Sequence, residues 1–289
     1  MGGIYVVKPG SDSVFRVFVV VTLALAGLVC LFPMMYVVSV SLTPYEEYLR
    51  QGGIILFPRQ ATLFAYREYF GEPYLWDSFM ITMGSTVAGT ALNILATVLM
   101  AYPLSKPDLI FRKFFSMFVL IPMLLSGGMI PTYLVVKSFG LLNSIWAYIV
   151  PGLIWSYVLL ITRTFFAQID AGLYESARMD GASEWTVLFR IILPVSTPIL
   201  ATIGLMYGVG HWNEYFASRL YSTSPQMRTL QALLRDVLDR STDMVADVIV
   251  PSRTLQMAGV VFSALPIILV YPFLQKYFTQ GIMLGSIKG

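Results

Sequence analysis

Long apolar runs that lack charged residues dominate the chain. Six of them are long enough to cross about 30 Å of hydrocarbon as helices, and they cover residues 17–42, 78–101, 114–136, 144–162, 191–210 and 255–275. The runs are continuous rather than alternating, which indicates helices and not the strands of a membrane barrel. The pattern therefore predicts an all-α membrane protein with six transmembrane helices, in which residues 1–289 form a single transmembrane domain.

The loops between these runs set the expected orientation. Basic residues are almost evenly divided between the two sides, but Lys106, Arg112 and Lys113 lie in a short hairpin beside two spans. Positive residues in such short loops mark the cytoplasmic side. We therefore predict that both termini and loop 163–190 are cytoplasmic, and that loops 43–77 and 212–254 lie outside.

The composition excludes several classes of protein. Only 12% of the residues are charged and 57% are apolar, with a net charge of +3, whereas soluble domains are about 25% charged. These values argue against a disordered chain, a nucleic-acid-binding protein and almost any soluble enzyme. Cys30 and His211 are the single cysteine and histidine, too few for a disulfide or a zinc site. No phosphate-binding loop occurs, so we expect no catalytic, metal or cofactor site, and any energy must come from a gradient or another subunit.

The polar positions inside the spans are mild, and they give the candidates for a polar translocation path. No Asp, Glu, Lys or Arg lies inside a span, which weakens an ion-coupled mechanism. Two glycines between Pro122 and Pro131 predict a broken or kinked helix. Packing alone, a plain kink and interfacial anchoring are the alternative explanations for the candidates, which are Asn93, Gly127, Gly128, Tyr207, His211, Trp212 and Asn213.

Loop 163–190 has the pattern of two short helices around a turn. Asp180 and Gly181 form a turn signal, and Ser183 is a candidate N-cap with Glu184 in the first turn that follows. Trp185 begins an apolar face at helical spacing. Such an elbow needs cover, either from the ends of the chain's own helices or from a partner.

A second amphipathic helix is predicted in the loop after the fifth span. Its apolar stripe recurs at helical spacing and consists of Leu230, Leu233, Leu234, Val237 and Leu238. Arg228, Arg235 and Arg240 are among its charged residues. The helix either lies on its own membrane domain or meets another protein.

The elbow resembles the EAA loop of the membrane subunits of bacterial ABC importers. The matching pattern is Glu175-x-Ala177-x-x-Asp180-Gly181-Ala182, followed by Pro194 at the family's spacing. Ser176 departs from the usual alanine, which is a small-for-small change. Residues 125–133, 212–216 and 281–289 are similar to the corresponding segments of the oligosaccharide permeases in that family. The resemblance covers nearly the whole chain.

The resemblance implies the type I permease fold, the bacterial cytoplasmic membrane and a set of partners. These are a second, homologous permease subunit, two cytoplasmic ATPases that hold ATP and Mg²⁺, and an extracytoplasmic solute-binding protein that hands over an oligosaccharide or other carbohydrate. No cofactor on this chain and no nucleic acid are implied. The ATPase would dock on a coupling loop formed by Glu175, Ser176, Ala177, Asp180, Gly181, Ala182, Trp185 and Pro194. The binding protein would contact Arg228, Leu230, Leu233, Leu234 and Arg235.

Three other functions remain to be compared with this one. An ABC permease for a non-sugar solute would carry the same elbow. A small secondary transporter or channel is disfavoured by the elbow and by the absence of charges inside the spans. A polytopic membrane enzyme would need a nucleophile with its base or a metal cluster, and the sequence provides neither.

Overall fold

The computed structural model describes residues 11–53, 55–239 and 253–286. All the secondary-structure elements assigned in those ranges are helices, which confirms the all-α prediction. In chain order the helices are α1 (Ser11–Ser41), α2 (Tyr45–Arg50), α3 (Phe64–Phe70), α4 (Leu75–Ser105), α5 (Arg112–Leu124), α6 (Met129–Ser138), α7 (Trp146–Ile149), α8 (Ser156–Ala167), α9 (Ala171–Met179), α10 (Glu184–Thr186), α11 (Leu193–Val195), α12 (Thr197–Trp212), α13 (Phe216–Tyr221), α14 (Leu230–Asp239) and α15 (Arg253–Ser286).

Three continuous helical segments are long and apolar enough to cross a membrane: Val14–Ser41, Leu75–Ser105 and Arg253–Val270. Three further pairs of helices are long and apolar enough to cross a membrane when the two helices of a pair are counted together. Within each pair the chain bends by more than 40° at a short break. If each bent pair is one span, the described residues contain six, the number predicted. Residues 240–252 of the loop predicted at 212–254 lie outside the described residues, as do residues 287–289 of the C-terminal segment.

The third span is broken, as its glycines and prolines predicted. Helices α5 and α6 meet at 115°, and the chain between them is extended at Leu125. Gly128 has φ +87°, a conformation that residues with a Cβ rarely adopt. The break therefore lies where the sequence allows it.

The fourth span was predicted as one helix over 144–162, and this is wrong. Helix α7 continues into a 3₁₀ turn at Val150–Gly152, and α8 begins only at Ser156. The two parts are bent by 54°. Pro151 has no N–H to continue the helical hydrogen bonds, and Trp155 is extended, with ψ 117°.

The fifth span also differs from its predicted limits of 191–210. It begins with α10 at Glu184, passes through a π-helical turn at Val187–Ile192, and bends by 83° before α12. Pro194 cannot donate to the carbonyl of Arg190, so the α-helical pattern is interrupted beside it. The first half of this span consequently belongs to the elbow.

The chain divides into two compact units, and the first comprises Met1–Glu72 with Val237–Phe262. Its core contains Val40, Ile55 and Met257, with Tyr36 and Tyr48 among the partly buried residues around them. The Tyr36 hydroxyl donates to the carbonyl of Gly53 at 2.9 Å, and the Thr62 amide donates to the carbonyl of Leu42 at 2.8 Å. These contacts fasten the segment after α1 to the end of that helix.

The second unit comprises Pro73–Asp236 with Ser263–Gly289. Helix α4 lies at its centre and packs against α12 and α8. One core contains the C-terminal half of α4, α8, the elbow and α12, and includes Val98, Leu159, Ile192 and Ile203. A smaller core gathers α6, α7 and α13 around Tyr148.

Candidate functional site

The elbow is built on the short helix α9. The Asp170 side chain accepts a hydrogen bond from the Gly172 amide at 2.8 Å and so caps the start of the helix. Ala177 is buried against the core of the second unit, while Glu175 and Ser176 are exposed. Met179 is 89% exposed. The helix thus presents one face to its own chain and leaves the other open.

The turn after α9 requires a glycine. Gly181 has φ +76°, and the Ala182 amide donates to the carbonyl of Ala177 at 3.0 Å, the pattern of a left-handed helix end. Ser183 then caps α10 by accepting from the Thr186 amide at 3.3 Å. The predicted turn and N-cap are both confirmed, and together they fix the direction of α10 relative to α9.

One carboxylate, that of Glu184, joins three segments at the elbow. Its Oε1 accepts from Nη2 of Arg178, on α9, at 2.7 Å. Its Oε2 accepts from the hydroxyl of Tyr102, on α4, at 2.6 Å. Lys106 Nζ lies 3.9 Å from the same Oε2. Glu184 itself belongs to α10, so the cluster ties the elbow to the C-terminal end of α4.

Lys106 also stands over two aromatic rings. Its ammonium lies 3.5 Å from the ring centroid of Tyr174 and 4.7 Å from that of Tyr102, within cation–π range. The two rings are stacked with centroids 6.4 Å apart. Burial lowers the pKa of Lys106, and the charge of Glu184 opposes that shift. The cation is therefore held by the elbow as well as by α4.

Two cavities flank this cluster. One, of about 570 Å³, has apolar walls that include Leu109 and Trp185. The other, of about 340 Å³, is lined by Glu175, Phe166 and Ala171. Lys106 and Arg178 line both, so these two cations stand between them.

A second polar cluster lies inside the span region, where four of the residues predicted for a translocation path are buried. Asn93 Nδ2 donates to the carbonyl of Gly152 at 2.9 Å, and the Trp155 amide donates to the Tyr207 hydroxyl at 3.2 Å. Both backbone groups belong to the break in the fourth span. Within lipid, backbone groups freed by a break must find partners inside the protein, and these two side chains supply them.

The rest of the cluster locks α4 to α12. His211 Nε2 lies 3.3 Å from Asn93 Oδ1, and Thr97 Oγ1 lies 2.7 Å from the Tyr207 hydroxyl. Trp212 is buried and donates from Nε1 to the carbonyl of Ser263 at 2.9 Å. Of the other path candidates, Gly127, Gly128 and Asn213 are exposed. The structure thus buries four of the seven residues inside the chain.

Three of the five residues predicted to contact a binding protein are likewise buried inside the chain. Leu230, Leu233 and Leu234 are buried within the chain, and the Leu230 amide donates to Thr82 Oγ1 at 2.8 Å. Arg228 pairs with Asp236, and Arg235 is exposed. The apolar stripe therefore packs α14 against its own chain, and the face that carries Arg235 is exposed.

Sequence reasoning missed the partners that define both clusters. The sequence indicates only an orientation from Lys106 and a first-turn acid at Glu184, and no pattern in it points to Tyr102. Pro151, in the middle of an apolar run, was the available signal for the fourth break.

Residues 93–284 match the family described as the binding-protein-dependent transport system inner membrane component. The chain belongs to that family. The match begins at Asn93 and contains the elbow, so both clusters lie within or beside the shared region. The chain is accordingly an inner-membrane permease subunit of a binding-protein-dependent transport system.

Individual relatives agree with this assignment. The chain is 40% identical over 286 residues to the polygalacturonan/rhamnogalacturonan transport system permease protein of Bacillus subtilis (strain 168), covering 96% of this chain and 100% of that one. It is 27% identical to the trehalose/maltose transport system permease protein of Thermococcus litoralis, over 95% and 97% of the two chains. A chain in the crystal structure of a bacterial ABC transporter involved in the import of the acidic polysaccharide alginate superposes with a TM-score of 0.85, at 29% identity, over 94% of this chain and 99% of that one. The expected permease fold is confirmed.

Proposed function

We propose that the chain is one of two different permease subunits of an ATP-driven oligosaccharide importer, and that α9 is its coupling helix. The observation that carries the proposal is the elbow itself: an exposed helix face, fixed by the Gly181 turn and tied to α4 through Glu184. A helix that docks on a partner must expose one face, and α9 does so while Ala177 on its other face packs against the core of the chain.

A carbohydrate substrate is supported by the relatives. The permeases at 40% and 27% identity are named for polygalacturonan/rhamnogalacturonan and for trehalose/maltose, and the matching structure is involved in the import of alginate. Two of these three names refer to acidic polysaccharides, because polygalacturonan and alginate are polymers of uronic acids. An oligogalacturonide is therefore the first substrate to test, with a maltooligosaccharide second.

The coupling role of the elbow implies that ATP hydrolysis and sugar translocation take place on different subunits. In this proposal two ABC ATPases bind and hydrolyse ATP with Mg²⁺, and the chain contributes no catalytic residue and binds no cofactor. ATP closes the ATPase pair, the coupling helices move together, and the two permeases swing between inward- and outward-facing forms. An extracytoplasmic binding protein delivers the sugar to the outward-facing form.

The test is uptake by the complete transporter in proteoliposomes. We expect labelled oligosaccharide to accumulate with ATP, and we expect Gly181→Asp to remain folded in the membrane while transport is lost and ATP hydrolysis is uncoupled from it. Gly140→Asp is the matched control, because Gly140 has a similar φ of +68° and open space around it but lies after α6. Each aspartate costs about 1–2 kcal/mol of backbone strain. Normal transport by Gly181→Asp would refute the coupling role, and uptake of a non-sugar solute alone would refute the substrate.

A further inference from the structure

The C-terminal end of α4 is joined to the elbow at several points. The Tyr102 hydroxyl is bonded to Glu184, the Lys106 ammonium stands over Tyr174, and Arg163 Nε donates to the carbonyl of Leu104 at 3.0 Å. Two of these contacts reach α9: Glu184 accepts from Arg178 of that helix, and Tyr174 is itself part of it, stacked on Tyr102. A displacement of the coupling helix therefore reaches the end of a membrane-spanning helix through the ring of Tyr174 and through the hydrogen-bonded and charged contacts of the Glu184 carboxylate.

The Glu184 carboxylate stabilises the elbow more through its contacts with Tyr102 and Lys106 than through its exposed ion pair with Arg178. Arg178 and Glu184 have side chains that are 54% and 53% exposed, and an ion pair of that kind alone contributes ~0–1 kcal/mol. Tyr102 is only 6% exposed, and the Lys106 side chain is 17% exposed. Removing the carboxylate leaves the Tyr102 hydroxyl without its acceptor and takes the larger of two opposing charges away from the partly buried Lys106.

Helix α4 continues this path into the membrane region. Thr97 and Asn93 lie about one and a half and two and a half turns before Tyr102 on α4, and they contact Tyr207 and His211 of α12. Asn93 also holds the break in the fourth span. A displacement of the inner end of α4 thus reaches the contacts that join three spans.

We infer that Glu184 is a positioning residue for transport: it fastens the coupling helix to α4, so that elbow and span move as one body when the ATPases close. This inference rests on the proposed coupling role of α9. It gives Glu184 a role different from that of the residues proposed to dock on the ATPase, because Glu184 acts through Tyr102, Lys106 and Arg178 of its own chain.

The first experiment measures coupling in the complete transporter in proteoliposomes. We expect Glu184→Ala to retain the ATPase subunits on purification and to hydrolyse ATP, while sugar taken up per ATP falls by ~5-fold or more. Glu184→Gln keeps an acceptor for the Tyr102 hydroxyl and should recover part of the loss. Asp77→Ala is the matched control, because Asp77 is an exposed carboxylate in the first turn of the same helix, at the end of α4 opposite to the Glu184 cluster. Wild-type coupling in Glu184→Ala, or an equal fall in uptake, hydrolysis and ATPase retention, would overturn the inference.

The second experiment needs no substrate and separates this inference from the proposed sugar. Spin labels are placed at Met179 on α9 and Leu95 on α4 in a Cys30→Ala background, and their separation is measured without nucleotide and after trapping with ATP and vanadate. We expect a single distance that is unchanged by trapping in the otherwise wild-type chain, and a broadened or shifted one in Glu184→Ala and in Tyr102→Phe. A distance that changes on trapping as much without the substitution as with it would show that the elbow and α4 do not move together.

Discussion

Gly89 shows at the scale of one residue how closely α4 and α12 approach each other. A Cβ added at Gly89 would lie 2.5 Å from His211 Nε2, closer than atoms in contact tolerate. The imidazole cannot easily move aside, since His211 is buried and lies against Asn93. Small residues at such positions let membrane helices pack at short range.

We therefore predict that Gly89→Ala destabilises the protein by about 1–3 kcal/mol, measured as a lower unfolding temperature in detergent. Gly208→Ala is the control, because a Cβ there meets Thr90 Oγ1 at an ordinary 3.5 Å. His211→Ala should relieve the clash, so the double variant should be less destabilised than the sum of the two single changes. Additive losses would show that the imidazole is not the obstacle.

At the scale of elements, the breaks in the spans explain residues that first suggested a translocation path. The fourth span leaves the Gly152 carbonyl and the Trp155 amide without helical partners, and Asn93 and Tyr207 supply them. The ring of Tyr207 also packs against that of Trp155, with centroids 4.9 Å apart. Asn93 of α4 and Tyr207 of α12 thus stabilise the break in the fourth span.

Tyr207→Phe tests this role, because it keeps the ring and removes the hydroxyl. The Trp155 amide then loses its partner, which costs about 1–3 kcal/mol, and we expect faster hydrogen–deuterium exchange over residues 153–159. Tyr157→Phe is the control, because Tyr157 lies within the measured segment, on α8, and is exposed. This change should leave the exchange of residues 153–159 as it is. Equal exchange in the two variants would mean that the Tyr207 hydroxyl does not hold the break.

The elements that sequence could predict are those whose cause is local. The glycine pair at 127–128 predicted the third break, and the elbow's turn and N-cap followed from Gly181 and Ser183. The fourth break depends on side chains 59 and 52 residues away from the groups they satisfy. Likewise, Tyr102 and Glu184 are 82 residues apart. Residue spacing along a chain carries no signal for such pairs, so the sequence predicts the docking residues of the coupling loop from their motif but not the attachment of that loop to α4.

At the scale of the molecule, α4 of the second unit carries a different element at each end. Thr82 near its start accepts from the Leu230 amide of α14, and Tyr102 near its end donates to Glu184 of the elbow. Twenty residues of helix separate these two positions, about 30 Å, which equals the thickness of the hydrocarbon layer. Helix α4 is therefore long enough to place α14 and the elbow at opposite surfaces of a membrane.

This geometry predicts opposite labelling of two single-cysteine variants. In a Cys30→Ala background, Met179→Cys on the elbow should react with a membrane-impermeant maleimide only in inverted vesicles, and Gln226→Cys, just before α14, only in right-side-out vesicles. Both native side chains are exposed in the chain by itself, so in vesicles that carry this chain without its partner subunits the reaction reports the side of the membrane and not burial. Denatured samples of each variant serve as the control for intrinsic reactivity. Labelling of both positions from the same side would be incompatible with α4 crossing between them, and reversed labelling would place the elbow outside, where no ATPase could reach it.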